Sequence, residues 1–211
     1  MPKPILAALA ALAGCVAMAS PALAHPHVWI FVETEVLYDK GTFTGLRHKW
    51  TFDEYYAATA IEGLDKNHDG KYDREELAEL AKVNIDGLKD FAYFTFPKLA
   101  GQDLKLGEAR DYWLEYTDDK LSLHFTLPFE QPVLAEAKGL TFTVHDPTYF
   151  IAFELAKKEP IKLSAGAPKG CKATVGEPPP EDPSAKDAFQ RQYGAFAIMT
   201  SQTVVVSCSG P

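Results

Sequence analysis

The chain has 211 residues, 46% of them hydrophobic, 12% aromatic and 24% charged, enough to bury one sizeable core and unlike a disordered or fibrous sequence. Asp and Glu number 29 against 21 Lys and Arg, a formal charge of -8 with no long basic run, so nucleic acid is not an expected partner.

Lys3 followed by an apolar run over residues 5–19 and then Ser20-Pro21-Ala22-Leu23-Ala24 reads as a secretory signal peptide over residues 1–24, cleaved at its A-x-A pattern. The run is shorter than the roughly 20 residues that cross a bilayer, and no later segment is long enough, so no membrane span is expected after residue 24. Leu12-Ala13-Gly14-Cys15 also reads as a lipobox, which would leave a lipidated Cys15. The apolar residues after Cys15 favour ordinary cleavage and a periplasmic domain over residues 25–211.

Two segments of strand character open that domain, residues 28–37 and 42–50, separated by the turn chemistry of Tyr38-Asp39-Lys40-Gly41. The period then becomes helical. Thr51-Phe52-Asp53-Glu54 has capping-box spacing, Tyr56, Ala60 and Leu64 recur along one face, and Leu77, Leu80, Ala81, Asn84 and Leu88 mark a second helix. Strand patterns return over residues 91–96, 109–117, 121–127, 140–145, 149–155, 161–163, 172–175 and 203–207, with a helix expected over residues 184–199. The fold class expected is α+β, an antiparallel β sandwich with a helix-loop-helix insertion over residues 51–90. Two cysteines remain after the leader, Cys171 and Cys208. Export makes a disulfide between them the expectation, against two free thiols as the alternative.

Between the two helices, residues 65–76 fit the twelve-residue EF-hand pattern at every constrained position. Calcium takes six to eight hard oxygens, and the loop offers the side chains of Asp65, Asn67, Asp69, Asp73 and Glu76 with the carbonyl of Lys71. Gly70 permits the sharp turn. EF-hand sensors are usually paired and this sequence has one, which favours a structural calcium over a switch.

Cleavage after Ala24 would begin the chain with His25-Pro26-His27, where a free amine and imidazole could chelate one metal, in the manner of the histidine brace of copper proteins; nickel, zinc and cobalt are also suited to imidazole. A passive histidine tail is the alternative. His124 and His145 alternate outward on their strands. If residues 121–127 and 140–145 were neighbours with Phe125 opposite Val144, the two imidazoles would face each other and could share a metal. His48 has inward parity and reads as a core histidine, whereas His68 occupies a variable loop position.

The segments His25-Pro26-His27-Val28-Trp29-Ile30, Trp50-Thr51-Phe52-Asp53-Glu54-Tyr55, the calcium-loop pattern and Asp146-Pro147-Thr148-Tyr149-Phe150 together resemble an uncharacterised bacterial periplasmic family. That family is described as a periplasmic component of an ABC-type transport system and is associated with nickel/cobalt-type permeases. The resemblance covers nearly the whole chain after the leader and implies metal handling beside a membrane metal permease. The expected function is therefore a calcium-containing accessory or binding protein for a transition metal, not an enzyme. The alternatives are a copper oxidoreductase with His25 in a brace and a calcium-stabilised protein-interaction module.

Overall fold

The computed structural model describes residues 28–148, 150–176 and 202–208. The chain opens as the expected hairpin. Strand β1 (Val28–Asp39) pairs with β2 (Thr42–Phe52) through a two-residue turn in which Lys40 and Gly41 both have positive φ, the conformation that matches the strand twist. Period-two alternation points Ile30, Val32, Thr34 and Val36 inward with Leu46, His48, Trp50 and Phe52.

Helices α1 (Glu54–Ala60) and α2 (Ala78–Lys89) follow, joined by the acidic loop. The chain then forms β3 (Thr95–Leu99), β4 (Gln102–Asp103), β5 (Arg110–Thr117), β6 (Lys120–Leu134), β7 (Leu140–Val144), β8 (Ile151–Leu155), β9 (Ile161–Leu163), β10 (Cys171–Val175) and β11 (Val204–Cys208). The fold is thus mostly β. One sheet runs β5-β6-β2-β1-β8 with β9 also on β1, and the other runs β10-β11-β7-β3-β4.

The purely antiparallel expectation is corrected by β8 and β9, which pair parallel to β1, one after the other along its length. The segment that joins β7 to β8 carries the chain from one sheet to the other, so β8 meets β1 without a hairpin. Residues 91–94 are not strand. Ala92, Tyr93 and Phe94 form a tight turn with positive φ at all three, a conformation costing roughly 1–2 kcal/mol per residue. Burial of Tyr93 and Phe94 opposes that cost. The capping residue also differs from expectation: Thr51 stays in β2, and Asp53 caps α1 by accepting the Tyr56 amide at 2.9 Å.

One hydrophobic cluster takes residues from both sheets and from the helices. Trp50 meets Phe125 and Phe153 edge-on, with ring centroids 4.8 and 4.9 Å away, while Leu77, at the N-cap of α2, and Ala81 and Ile85 within it supply the i, i+4 stripe. At Gly45, where the β2–β6 register shifts, a Cβ atom would come within 2.4 Å of the Leu127 carbonyl oxygen; only glycine lets the strands approach so closely. The expected disulfide is present: Cys171 and Cys208 are register partners on β10 and β11 and are covalently joined. Among the described residues, no helix is long and apolar enough to cross a membrane. Residues 1–24, and with them Cys15, lie outside the described residues, as does the helix expected over residues 184–199.

Candidate functional site

The acidic loop closes on its own carboxylates. Asp65 accepts the amides of Asp69 (3.2 Å) and Gly70 (3.0 Å), Asn67 accepts that of Asp69 (2.8 Å), and Asp69 that of Lys71 (2.8 Å). Glu76, which is buried, reaches back along the loop: Oε1 accepts the Lys66 and Asn67 amides at 2.9 and 3.3 Å, and Oε2 accepts the Asp73 amide at 3.1 Å. Asp73 returns the bond by accepting the Glu76 amide at 2.9 Å. The Asp and Asn contacts are short-range and Asx-type, the reason such residues favour turns over helix. The donor atoms offered are all oxygen, which suits a hard cation. Asn67, Asp69, Asp73 and Glu76 also line a cleft of about 470 Å³ with Asp118 and Asp119 of the β5–β6 turn.

The loop straddles an edge strand. Tyr72 packs edge-on against Tyr116 of β5 (5.1 Å), whereas the Arg74 guanidinium lies 4.5 Å from the ring centre of Trp113, which alternation places on the opposite face of the same strand. Covering β5 in this way guards the open edge of the sheet. Trp113 is the register partner of His124 on β6, and their rings stack 4.5 Å apart, within 5° of parallel. His124 Nε2 sits 3.2 Å from Glu115 Oε2. Partial burial lowers the His124 pKa, opposed by the Glu115 carboxylate.

The expected pairing of His124 with His145 is corrected. β6 pairs with β2 and β5, whereas β7 pairs with β3 and β11 in the other sheet. Phe125 and Val144 do both point into the core, but from opposite sheets, so the alternating histidines face away from each other across the sandwich. His145 instead packs on Phe96 (4.7 Å) beside a groove of about 660 Å³ whose walls include Leu104, Leu106 and Thr143. Its Nδ1 is buried without a hydrogen-bond partner, and burial lowers its pKa. Among the described residues, no three His, Cys, Asp or Glu side chains gather as a metal-binding cluster, the acidic loop included, where the carboxylates are turned onto backbone amides.

His48 is the core histidine its parity implies. Thr95 Oγ1 donates to the Tyr93 carbonyl (2.9 Å), so the 3.4 Å contact with His48 Nε2 requires that nitrogen to carry the proton. Nδ1 then accepts from Thr34 Oγ1 at 2.9 Å. The neutral ring is satisfied on both sides, and burial lowers its pKa to about 3.

His25 and His27 lie outside the described residues, but the first described residue, Val28, begins β1. On one side of that start, Trp29 donates its amide to Asp53 Oδ2 (2.8 Å) and accepts the Asp53 amide at its carbonyl (2.9 Å). On the other, Val28 and Ile151 are register partners, and the loop before Ile151 is wound on Asp146. This buried carboxylate accepts the Thr148 amide and hydroxyl at Oδ1 and the Phe150 and Ile151 amides at Oδ2.

Residues 10–205 match the sequence profile of DUF1007, described as a protein of unknown function. The chain belongs to the DUF1007 family. An uncharacterised protein of Haemophilus influenzae is 25% identical over 195 residues, covering 88% of this chain and 92% of the relative. An uncharacterised 15.5 kDa protein from the trpE 3' region of Spirochaeta aurantia is 28% identical over 99 residues, 47% of this chain and 70% of the relative.

Among the described residues of this DUF1007 chain, the segments that carried the sequence resemblance do not form a single chemical cluster. Asp53 and Asp146 spend their carboxylates on backbone amides beside β1, while the acidic loop leans on β5. Sequence reasoning missed Arg74, Trp113 and Glu115. Arg74 lies within the loop, but its partner is 39 positions away and no local spacing signals the contact. The Asp146 loop did carry a signal, since Asp-Pro-Thr is Asx-turn chemistry.

Proposed function

We propose that this protein is an exported, calcium-containing accessory that binds a transition metal for a membrane transport system of the nickel/cobalt-associated kind. The observation that carries the calcium part is the buried Glu76 carboxylate tied to both ends of the loop, at Lys66 and Asn67 and at Asp73. A carboxylate offers about four lone-pair sites, so oxygens that accept an amide can also face a cation. Asp65, Asn67, Asp69, the Lys71 carbonyl, Asp73 and Glu76 would hold it, with calcium lending charge compensation to the four carboxylates among them. Extracellular modules of this type are filled at millimolar calcium.

The transition-metal part rests on His25-Pro26-His27 and on the family resemblance. It gains support from the Asp53–Trp29 exchange, which fixes the strand that directly follows those histidines. His124 and His145, separated by the sandwich, are not carried forward as a shared site. Copper, nickel, cobalt and zinc remain the candidate metals.

A second reading, a calcium-stabilised interaction module, is favoured by Tyr55 and Phe150. They are 83% and 48% exposed, and they belong to the segments that flank the start of β1.

The test is native mass spectrometry of untagged, authentically processed protein, titrated with calcium and then with copper, nickel, cobalt and zinc, beside His25→Ala and His27→Ala. One calcium plus one transition ion per chain, the latter lost in the histidine variants, is the expected result. Calcium alone would overturn the metal-handling part and leave the interaction module.

A further inference from the structure

Arg74 lies between two proposed calcium ligands, Asp73 and Glu76, whose reciprocal hydrogen bonds define the turn that carries it. Its side chain leaves the loop and stacks over Trp113 at 4.5 Å. Trp113 in turn stacks on His124, which is anchored on the sheet by Glu115. The row continues by register to Lys49 and Glu33, whose charged groups lie 3.8 Å apart. A continuous line of contacts therefore leads from the loop to the outer face of the central strands.

We infer that calcium occupancy of the loop is transmitted to His124 through the stack of Arg74 on Trp113. The inference rests on the calcium reading and adds a consequence to it. A cation held by Asp73 and Glu76 fixes the turn between them. It thereby removes much of the freedom that an exposed arginine gives up on stacking. Linkage makes the effect reciprocal: what calcium adds to the stack, the stack returns as calcium affinity. A cation–π contact at a partly exposed site corresponds to about a two- to fivefold change in binding. The lone loop would then use an aromatic on the sheet where a paired loop would otherwise pack.

The experiment uses full-length processed protein labelled with fluorotryptophan, so that fluorine NMR resolves Trp29, Trp50 and Trp113, with Trp113→Phe assigning the third signal. Calcium is titrated while the Trp113 fluorine signal and the His124 ring resonances are followed, and calorimetry measures stoichiometry and affinity. Both signals are expected to move with the calorimetric midpoint. Trp113→Leu should still bind one calcium, about two- to fivefold more weakly, with His124 no longer responding. Arg74→Lys, an exposed change that keeps the charge and loses the planar stack, should behave alike. Calcium binding that leaves Trp113 and His124 unmoved, or variants with unchanged affinity, would overturn the coupling while sparing the calcium site. Absence of calcium binding in the unmodified protein would overturn the calcium reading and the coupling with it.

Discussion

Asp53 and Trp29 exchange two hydrogen bonds. The Trp29 amide donates to the Asp53 carboxylate, and the Asp53 amide donates to the Trp29 carbonyl, at 2.8 and 2.9 Å. The other carboxylate oxygen of Asp53 caps α1. One side chain thus joins the start of β1, the end of β2 and the insertion.

Because each oxygen serves a different amide, Asp53→Asn should lose one bond and Asp53→Ala both. The expected cost is about 1 kcal/mol for Asn and about 2–3 kcal/mol for Ala, measured by urea unfolding. Equal losses in the two variants would show that the oxygens do not act separately.

His48 sets an acid limit on stability. Its ordinary pKa of 6.5 falls to about 3 in the fold, so below pH 6.5 the unfolded chain takes up a proton that the folded chain refuses. Stability should therefore fall as the pH drops from 6.5 toward 3, by at most about 1.4 kcal/mol per pH unit for this one group. Thr34 reinforces the effect, since its hydroxyl donates to the nitrogen that would have to accept the proton. His48→Gln should be less stable at neutral pH yet show a shallower acid slope, by one proton. Parallel slopes would remove His48 as the source.

The disulfide closes a sequence separation of 37 residues between neighbouring strands. Reduction should cost about 4 kcal/mol if chain entropy dominates. The paired Cys171→Ser and Cys208→Ser variant should match the reduced protein in denaturant midpoint. A midpoint equal to that of the oxidised protein would show that β10 and β11 are held by their ladder and core contacts alone.

How much of this was legible in the sequence follows from the range of each interaction. Period-two patterns exposed β1, β2, β5 and β7, because alternation is local and one face of each strand meets the core. The inward parity of His48 was readable for the same reason. Sheet membership was not: Leu121 to Leu127 and Leu140 to Val144 carry equally good alternation, and nothing in either segment says that β6 stays with β2 while β7 crosses over. The parallel pairing of β8 was hidden likewise, since its Ile-Ala-Phe-Glu-Leu pattern is silent about direction. In the candidate site, the loop residues were legible because their contacts span at most ten positions. Arg74 on Trp113 was not, because that contact depends on tertiary packing around an edge strand.

Glu76 allows the loop's closure to be separated from its cation binding. Glu76→Gln keeps one oxygen for the Lys66 and Asn67 amides but can turn an amide group toward the Asp73 N–H, placing two donors together where Oε2 now accepts. Without calcium the variant should therefore lose about 1 kcal/mol, seen as a melting temperature lower by roughly 2–4 °C. Calcium should widen the gap. A ligand that binds only the folded chain adds about 1.4 kcal/mol for each tenfold rise in concentration beyond saturation. The melting temperature of the unmodified protein should climb across a calcium series and fall back with a chelator, while that of Glu76→Gln stays flat. A variant that climbs in parallel would show that Glu76 closes the loop through its amide contacts without serving as a ligand.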